Sequence, residues 1–244
     1  ARLGALCAFV ALSLGAFPEL RKLPRSSGGF RRLVPFWGWM TVSGVAGPIL
    51  VYLDRFLIGS LLSMSALAYY SAPYEAITRL WIVPASLTMA LFPAFSSLEG
   101  VKDWEGLRAF FFRAVRDILL GLGPAVVAVI FFSEDILRVW LGAEFAARSQ
   151  AVLRILSLGV LISSLAHVPL VLLQGVGRPD LPAKFHLAEL PLHILVAWAS
   201  IGRWGIAGAA MAWTLRVSLD AILLYTASFK VCRFSSPWLT GSRG

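Results

Sequence analysis

The chain is built from apolar runs long enough to cross a lipid bilayer, and some of these runs carry charges. The run from Leu33 to Ser63 is one of them, and it contains Asp54 and Arg55. A helix needs about 20 apolar residues to span the hydrocarbon core. Hydrophobic residues make up 58% of the 244 residues and charged residues 14%, whereas soluble domains have about 25% charged residues. The sequence therefore predicts an all-α, polytopic membrane helix bundle.

The apolar runs predict seven transmembrane spans. The third is too long for one straight crossing, so we expect it to tilt or to bend at Pro84 and Pro93. The predicted spans are Leu3 to Phe17, Leu33 to about Leu53, Ala66 to about Ser96, about Asp117 to Phe132, Ala151 to Leu173, Phe185 to Ile201, and Ile206 to Phe229.

Lysine and arginine residues are distributed unequally between the two sides of these spans. One side holds 14 of the 22, the other holds 5, and three more lie within spans. Because basic residues favour the cytoplasmic side, the side with 14 is predicted to be cytoplasmic, which also places the C-terminus there. The basic clusters are short and lie between apolar runs, so the net charge of +9 indicates anionic lipid as the partner and not nucleic acid.

Two connections between spans mix aromatic and charged residues. The stretch Glu99 to Asp117 predicts an amphipathic helix lying on the inner membrane surface. The stretch Ser133 to Gln150 predicts an interfacial segment on the other side, anchored by Trp140. Neither connection is long enough to house a soluble catalytic domain.

Ionisable residues within the spans are the candidates for function, because a charge at membrane depth is costly and usually faces a polar cavity. Glu75 and Arg79 are four residues apart and share one face of the third span, and Tyr70 and Tyr74 lie close to that face. The pair either lines a substrate cavity or neutralises itself as an ion pair that locks helices together.

Two further pairs of charges lie in other spans. Asp54 and Arg55 point about 100° apart on a helix, so we expect them to contact different partners. They either line the cavity or pair at a helix end near the outer interface. Arg216 and Asp220 share one face of the seventh span, and arginine suits phosphate recognition. Three arginines within spans predict a cationic cavity for an anionic substrate.

Prolines and small residues add two expectations about the helices. The prolines are candidates for helix breaks of the kind found in transporters, and the small residues from Gly205 to Ala210 predict close helix packing. The candidate breaks are Pro48, Pro84, Pro93, Pro124, Pro169 and Pro191.

The cysteines and histidines indicate no metal or catalytic site. Cys7 lies in an apolar span and Cys232 in a basic tail, which gives no disulfide framework. His167, His186 and His193 lack the spacing of metal ligands, so we interpret them as structural residues.

Several motifs occur in the order found in one known family, and they extend over nearly the whole chain. They are LDRFLIG at Leu53 to Gly59, YYSAPYE at Tyr69 to Glu75, FPAFS at Phe92 to Ser96, ILRVWLGAEFA at Ile136 to Ala146, GVGRP at Gly175 to Pro179 and GIAGAAMAWTLR at Gly205 to Arg216. In these motifs the chain resembles the bacterial flippases of O-antigen and capsule repeat units, called Wzx. Their superfamily also contains the multidrug-efflux MATE proteins and the lipid II flippases.

The resemblance implies a protein of two six-helix halves, of which this chain is the C-terminal part. Residues 1–17 would be the last helix of a truncated N-terminal half, and residues 18–32 a basic cytoplasmic linker. Residues 33–229 would form a complete six-helix half-bundle, followed by a cytoplasmic tail at 230–244. The implied location is the bacterial inner membrane.

The implied function is the flipping of undecaprenyl-pyrophosphate-linked oligosaccharide from the inner to the outer leaflet. Two helix bundles would give alternating access around a cationic cavity, driven by a proton or sodium gradient and without a cofactor. The implied partners are the lipid-linked oligosaccharide and membrane lipids, with polysaccharide polymerase and chain-length proteins as further candidates.

Other functions fit the sequence less well. A MATE-type multidrug or cation antiporter would need to bind cations, which arginines in a low-dielectric cavity repel. A membrane-embedded polysaccharide polymerase or ligase would carry a large outer loop, and the longest outer connection, Ser133 to Gln150, is short. A passive scaffold does not explain three arginines within spans. We therefore expect a transporter and not an enzyme.

Overall fold

The computed structural model describes the backbone of residues 27–232 and the side chains of residues 35–232, and every regular element in this part is helical. The all-α prediction is thus confirmed. In chain order the elements are α1 Ser27–Leu61, α2 Met64–Thr78, a 3-10 turn Arg79–Trp81, α3 Ile82–Gly100, α4 Trp104–Phe131, α5 Ser133–Leu141, α6 Ala143–Gly175 and α7 Asp180–Val231.

Contacts divide the chain into two units, Ala1–Trp37 and Gly38–Gly244. The second unit contains the buried core and the ion pairs, and it begins close to the predicted start of the half-bundle at residue 33. The first predicted span, Leu3 to Phe17, lies outside the described residues, as does most of the predicted linker and tail.

Five helical segments are long and apolar enough to cross a membrane: Pro35–Leu61, Met64–Gly100, Trp104–Phe131, Ala143–Gly175 and Asp180–Val231. The last of them has 52 residues. A straight helix of that size would be about 78 Å long, more than twice the hydrocarbon thickness of about 30 Å. Helix α7 therefore consists of two arms, which correspond to the sixth and seventh predicted spans.

The two arms of α7 turn at Gly205 and pack side by side. Gly205 has φ 57° and ψ −137°, a conformation that a residue with a side chain adopts only under strain. Gly208 lies so close to the other arm that a Cβ atom on it would be 2.0 Å from the carbonyl oxygen of Ser200. Ala209 and Ala210 are fully buried, so the close packing expected of these small residues is present.

The apolar helical segment Met64–Gly100 is interrupted by the 3-10 turn Arg79–Trp81, just before Pro84. A proline has no N–H to donate, and its ring clashes with the carbonyl four residues earlier, here that of Leu80. The N–H of Ile82 instead reaches the carbonyls of Arg79 and Leu80. The interruption therefore coincides with the first of the two bends expected in this span.

The other candidate breaks lie within continuous helices. Each proline removes a single backbone hydrogen bond, and in a membrane bundle neighbouring groups can satisfy the freed carbonyl without ending the helix. Helix α1 continues through Pro48, α3 through Pro93, α4 through Pro124, α6 through Pro169 and the first arm of α7 through Pro191.

The stretch Glu99 to Asp117 does not form a separate surface helix. From Trp104 onward it is the beginning of α4, which continues to Phe131. Leu107 and Phe111 are fully buried in the protein core. The apolar face of this stretch therefore packs against protein where lipid headgroups were expected.

The connection after α4 contains the short helix α5. Leu137 faces the core, whereas Val139 and Trp140 are exposed. This agrees with an interfacial segment anchored by Trp140.

Helix α6 lies at the centre of the bundle and contacts α2, α3, α4, α5 and α7. Gly159 on α6 faces Trp213 on the second arm of α7, and a Cβ atom on Gly159 would be 2.4 Å from that ring. Trp213 is fully buried and packs edge-on against Tyr74 of α2, with ring centroids 5.6 Å apart. This contact fixes α2 relative to the second arm of α7.

Replacing Gly205 by alanine tests the turn in α7. The Gly205→Ala variant should lose about 1–3 kcal/mol of unfolding free energy, because alanine is strained at this backbone conformation. A lower melting temperature of the purified protein in detergent would show the loss. Gly202→Ala is the matched control, since an added Cβ atom at this helical position meets nothing within 4 Å and should be neutral or slightly stabilising. Equal melting temperatures for the two variants would contradict a strained turn.

Candidate functional site

Ionisable and phenolic side chains from α1, α2 and both arms of α7 meet in one group, which we call the polar cluster. It contains seven of the eight cavity candidates named from the sequence, all except Arg79, together with three residues from the first arm of α7. Its members are Asp54, Arg55, Tyr70, Tyr74, Glu75, His186, Glu189, His193, Arg216 and Asp220.

Asp54 on α1 is fully buried and faces the first arm of α7. Its Oδ1 atom lies 2.9 Å from Nε2 of His193, and the two side chains are 0% and 1% exposed. Tyr70 on α2 donates a hydrogen bond to Oδ2 of Asp54 at 3.4 Å. A buried carboxylate is tolerated only with such partners. Three helices therefore meet at this one carboxyl group.

Arg55 contacts a different set of side chains, as expected for a residue adjacent to Asp54 on a helix. Its Nη2 atom lies 2.6 Å from Oε1 of Glu75 on α2. The guanidinium also lies over the ring of Tyr74, 4.8 Å from the centroid. Because the Glu75 side chain is 56% exposed, this end of the polar cluster lies at the surface of the described bundle.

Arg79 does not pair with Glu75. The 3-10 turn that begins at Arg79 ends the regular helical spacing of α2, and Glu75 pairs with Arg55 across the two helices. Arg79 is exposed and forms no salt bridge with another described residue. The ion-pair interpretation of Glu75 and Arg79 is therefore wrong, and the role of Arg79 in a cavity stays a prediction.

The second arm of α7 contributes Arg216 and Asp220, whose nearest partners are on the first arm. Nη1 of Arg216 lies 3.5 Å from Oε2 of Glu189. Oδ1 of Asp220 lies 3.8 Å from Nε2 of His186. The other ring nitrogen of His186 is 3.0 Å from the hydroxyl of Ser43 on α1. These contacts link the hairpin of α7 to α1.

Sequence reasoning missed the contribution of the first arm of α7. Glu189 is not among the residues predicted from the sequence, whereas His186 and His193, predicted to be structural residues, contact Asp220 and Asp54. Glu189 and His193 follow His186 by three and seven residues, a spacing that places all three on one helix face. That spacing was a signal available in the sequence.

A cavity of about 230 Å³ lies beside Arg216 and Asp220, and its lining also includes Trp81, Ser163 and His167. Three buried polar atoms of this lining have no hydrogen-bond partner among the described residues: Nε1 of Trp81, Nε of Arg216 and Oδ1 of Asp220. Buried polar atoms are normally satisfied. The cavity is large enough for several water molecules, so it could hold water or a small polar ligand.

The arginine and carboxylate side chains of the polar cluster each face a partner on another helix or on the other arm of α7. Arg55 and Arg216 each face a glutamate, and Asp54 and Asp220 each face a histidine. Both arginines of the polar cluster are thus paired with carboxylates, and the cationic cavity expected from the sequence stays a prediction. The physical reason for the pairing is the high cost of an unpaired charge at membrane depth.

Comparison with known proteins gives the family. The family described as polysaccharide biosynthesis protein matches residues 5–150, which is more than half of the 244 residues. The chain belongs to this family. Together with the relatives described next, this family confirms the resemblance to Wzx-like flippases and a multi-pass membrane protein.

Three relatives illustrate the similarity. The chain is 32% identical over 203 residues to a Shigella flexneri protein named as an O-antigen transporter, covering 83% of the chain and 48% of the relative. It is 23% identical over 206 residues to a Haloferax volcanii protein named as a low-salt glycan biosynthesis flippase, covering 84% and 43%. It is 25% identical over 153 residues to a Bdellovibrio bacteriovorus protein named as a lipid II flippase, covering 59% and 28%.

The names and lengths of these relatives bear on function. All three are named for transport or flipping, in agreement with the expectation of a transporter and not an enzyme. The chain spans about half the length, or less, of the relatives it matches.

Two arginine variants test the pairing in the polar cluster. Arg55→Ala should lose about 1–2 kcal/mol of unfolding free energy, because it removes both the contact with Glu75 and the contact with the Tyr74 ring. Arg79→Ala should change that free energy by less than about 0.5 kcal/mol, as is usual for exposed positions. Denaturant unfolding of the full-length protein in detergent measures both. A larger loss for Arg79→Ala than for Arg55→Ala would contradict the observed pairing.

Proposed function

We propose that the full-length protein to which this chain belongs moves lipid-linked oligosaccharide repeat units from the inner to the outer leaflet of a membrane. The proposed carrier lipid is undecaprenyl pyrophosphate, and the proposed location is the bacterial inner membrane with the C-terminus in the cytoplasm. Support comes from the family and from relatives named for O-antigen transport and for flipping in glycan biosynthesis.

The observation that carries the proposal is the exposure of Arg79 near the middle of the segment Met64–Gly100. An arginine at the bilayer centre costs about 2.5–3.5 kcal/mol or more. Glu75, one turn earlier, is exposed as well. This surface is therefore better suited to line a water-filled passage than to face lipid. The guanidinium of an arginine binds phosphate oxygens well, because its N–H donors match their geometry.

The proposed mechanism is alternating access by two helix bundles. One continuous buried core joins α1, α2, α6 and both arms of α7, which supports movement of this bundle as one body. A proton or sodium gradient would drive the movement. A polysaccharide polymerase that consumes the flipped units, together with chain-length proteins, would be the protein partners.

A second candidate function is MATE-type export of cationic drugs. It is favoured by the buried carboxylates of Asp54, Glu189 and Asp220, because acidic groups attract cations. The names of the relatives favour glycan transport. Assays in one set of bacterial strains can distinguish glycan transport from drug export.

Complementation of a strain that lacks its own flippase tests the proposal. The full-length protein with Arg79→Ala should restore about tenfold less surface glycan than the unaltered protein, since a contact to the passing pyrophosphate is lost. Its expression level and melting temperature should be unchanged. Antibody labelling of the glycan on intact cells measures the effect. Arg138→Ala is the matched control, because Arg138 is exposed on α5 and its salt bridge among residues 35–232 is to Glu134 on the same helix.

Two outcomes would count against the proposal. If the Arg79→Ala variant restores the full amount of surface glycan, the exposed arginine no longer supports the proposal. Failure of the unaltered protein to restore glycan, together with new resistance to cationic drugs, would favour the antiporter instead.

A further inference from the structure

The cavity beside Arg216 and Asp220 combines hydrogen-bond donors and an acceptor that have no partner. Nε1 of Trp81 and Nε of Arg216 are donors, and Oδ1 of Asp220 is an acceptor. All three atoms are buried and lack a hydrogen-bond partner among the described residues, and all three residues line the cavity. Because an unsatisfied buried polar atom is costly, these atoms call for a polar occupant.

The mixture of donors and acceptor limits the charge of that occupant. A simple anion could accept from Trp81 and Arg216, but the carboxylate of Asp220 would repel it. A cation would be attracted by Asp220 and repelled by the guanidinium of Arg216. A hydroxyl group, by contrast, donates one hydrogen bond and accepts up to two. A neutral molecule with several hydroxyl groups therefore matches the donors and the acceptor together.

Two histidines of the cavity lining are held in place by other side chains or by the backbone. Nδ1 of His167 lies 2.8 Å from the carbonyl oxygen of Ser163. A carbonyl only accepts, so Nδ1 carries the hydrogen and Nε2 of the neutral ring is the acceptor. Nδ1 of His186 lies 3.0 Å from the hydroxyl of Ser43. Both imidazoles line the cavity in fixed orientations, which lowers the entropic cost of binding a ligand.

One wall of the cavity is aromatic. The ring of Trp81 packs edge-on against Tyr74, with centroids 6.5 Å apart, and lies tilted against Trp213 at 6.3 Å. Leu170 and Val217 add apolar surface to the lining. Ligand sites typically combine apolar and aromatic walls with a few well-placed polar groups. A sugar ring has C–H bonds on its faces and hydroxyl groups around its edge, so it fits both parts of this lining.

The size of the cavity and its access to the surface both allow a single sugar ring. Its volume of about 230 Å³ lies below the range of about 300–1,000 Å³ typical of pockets for drug-sized ligands. A whole oligosaccharide therefore does not fit. The side chains of Asp220 and His186 are 16% and 13% exposed, so the cavity is not sealed within the described bundle.

The position of Trp81 relates this cavity to Arg79. Both residues belong to the 3-10 turn Arg79–Trp81, in which the backbone rises about 2.0 Å per residue. The two residues are therefore separated by about 4 Å along the axis of the turn. In a lipid-linked oligosaccharide the first sugar is bonded directly to the pyrophosphate. A sugar beside Trp81 is thus compatible with a pyrophosphate contact at Arg79.

We propose that this cavity binds one pyranose ring through Trp81, Arg216 and Asp220, with His167 and His186 as further contacts. During transport it holds the sugar that is bonded to the pyrophosphate. A site that hydrogen-bonds a hydroxyl group rejects analogues that lack it, so these residues determine which glycans are accepted. The role in transport rests on the proposed function, whereas the sugar site does not.

Saturation-transfer NMR of the full-length protein in nanodiscs tests the sugar site. The probe is a mixture of the methyl glycosides of glucose, galactose, mannose, rhamnose and N-acetylglucosamine. At least one glycoside should give a signal, and its affinity should fall about tenfold in Trp81→Ala, which removes the aromatic wall and one donor. Trp198→Ala is the matched control, because Trp198 is 61% exposed on the first arm of α7, and should leave the affinity unchanged.

Three outcomes would overturn the sugar site. The first is the absence of a signal from all five glycosides with the folded, unaltered protein, which would leave the cavity to water. The second is equal affinity in Trp81→Ala and Trp198→Ala. The third is an anion site, which would show as a higher melting temperature in inorganic phosphate that is lost in Trp81→Ala, without any signal from the glycosides.

Glycan flipping in proteoliposomes tests the role in transport. Trp81→Phe keeps an aromatic wall and Asp220→Asn keeps the shape of the side chain. Each should raise the KM for lipid-linked oligosaccharide several-fold and leave the maximal rate within about twofold, as expected for a lost binding contact. Asp117→Asn is the matched control, since Asp117 is an exposed carboxylate on α4 next to Arg116. A purely structural role would instead lower the maximal rate and the melting temperature without raising KM.

The two assays distinguish failure of the sugar site from failure of the proposed function. If the variants lose glycoside binding but keep the KM of the unaltered protein, the cavity does not hold the transported sugar and its role in transport is overturned. If the unaltered protein moves no lipid-linked glycan, the proposed function fails, and the NMR signal alone decides the sugar site.

Discussion

A charge inside hydrocarbon needs a partner, and in the polar cluster the partner is supplied by another helix or by the other arm of the same hairpin. Asp54 on α1 meets His193 on α7, Arg55 on α1 meets Glu75 on α2, and Arg216 meets Glu189 between the arms. A shift of one helical turn, about 5.4 Å, would leave each of these groups unpaired. The requirement for pairing therefore fixes the relative positions of α1, α2 and α7.

The turn at Gly205 makes this arrangement possible. It reverses the chain so that Glu189 on one arm lies opposite Arg216 on the other. Gly208 allows the arms to approach closely, and Trp213 packs the second arm against α2 and α6. Small residues set the distance between the arms, and the polar residues then set which side chains meet.

The sequence alone predicted the helical class, most of the apolar segments and most of the charged residues of the polar cluster. It could not predict their pairing, because pairing depends on which helices are neighbours. An ion pair between Glu75 and Arg79, one of the two predicted alternatives, does not form, because the 3-10 turn Arg79–Trp81 begins there and Glu75 pairs with Arg55 on α1. Glu189 lies in the predominantly apolar first arm of α7, and its importance is evident only when Arg216 is brought beside it.

One sequence pattern can fit two environments, and this limits what the sequence predicts. The amphipathic pattern from Trp104 to Asp117 suits a helix on the membrane surface as well as one packed on protein, and here Leu107 and Phe111 pack on protein. Three arginines within spans predict a cationic cavity, but a count of arginines does not reveal the carboxylates that pair with two of them, Arg55 and Arg216. Charge balance is a property of the assembled helices.

A double-mutant cycle on Asp54 and His193 tests the central claim most directly, because these two side chains join α1 to α7 at a fully buried contact. The unfolding free energies of Asp54→Asn, His193→Gln and the double variant would be measured in the same detergent. If the contact fixes the helices, the two substitutions should be non-additive by about 1 kcal/mol or more. Additivity within about 0.5 kcal/mol would contradict it.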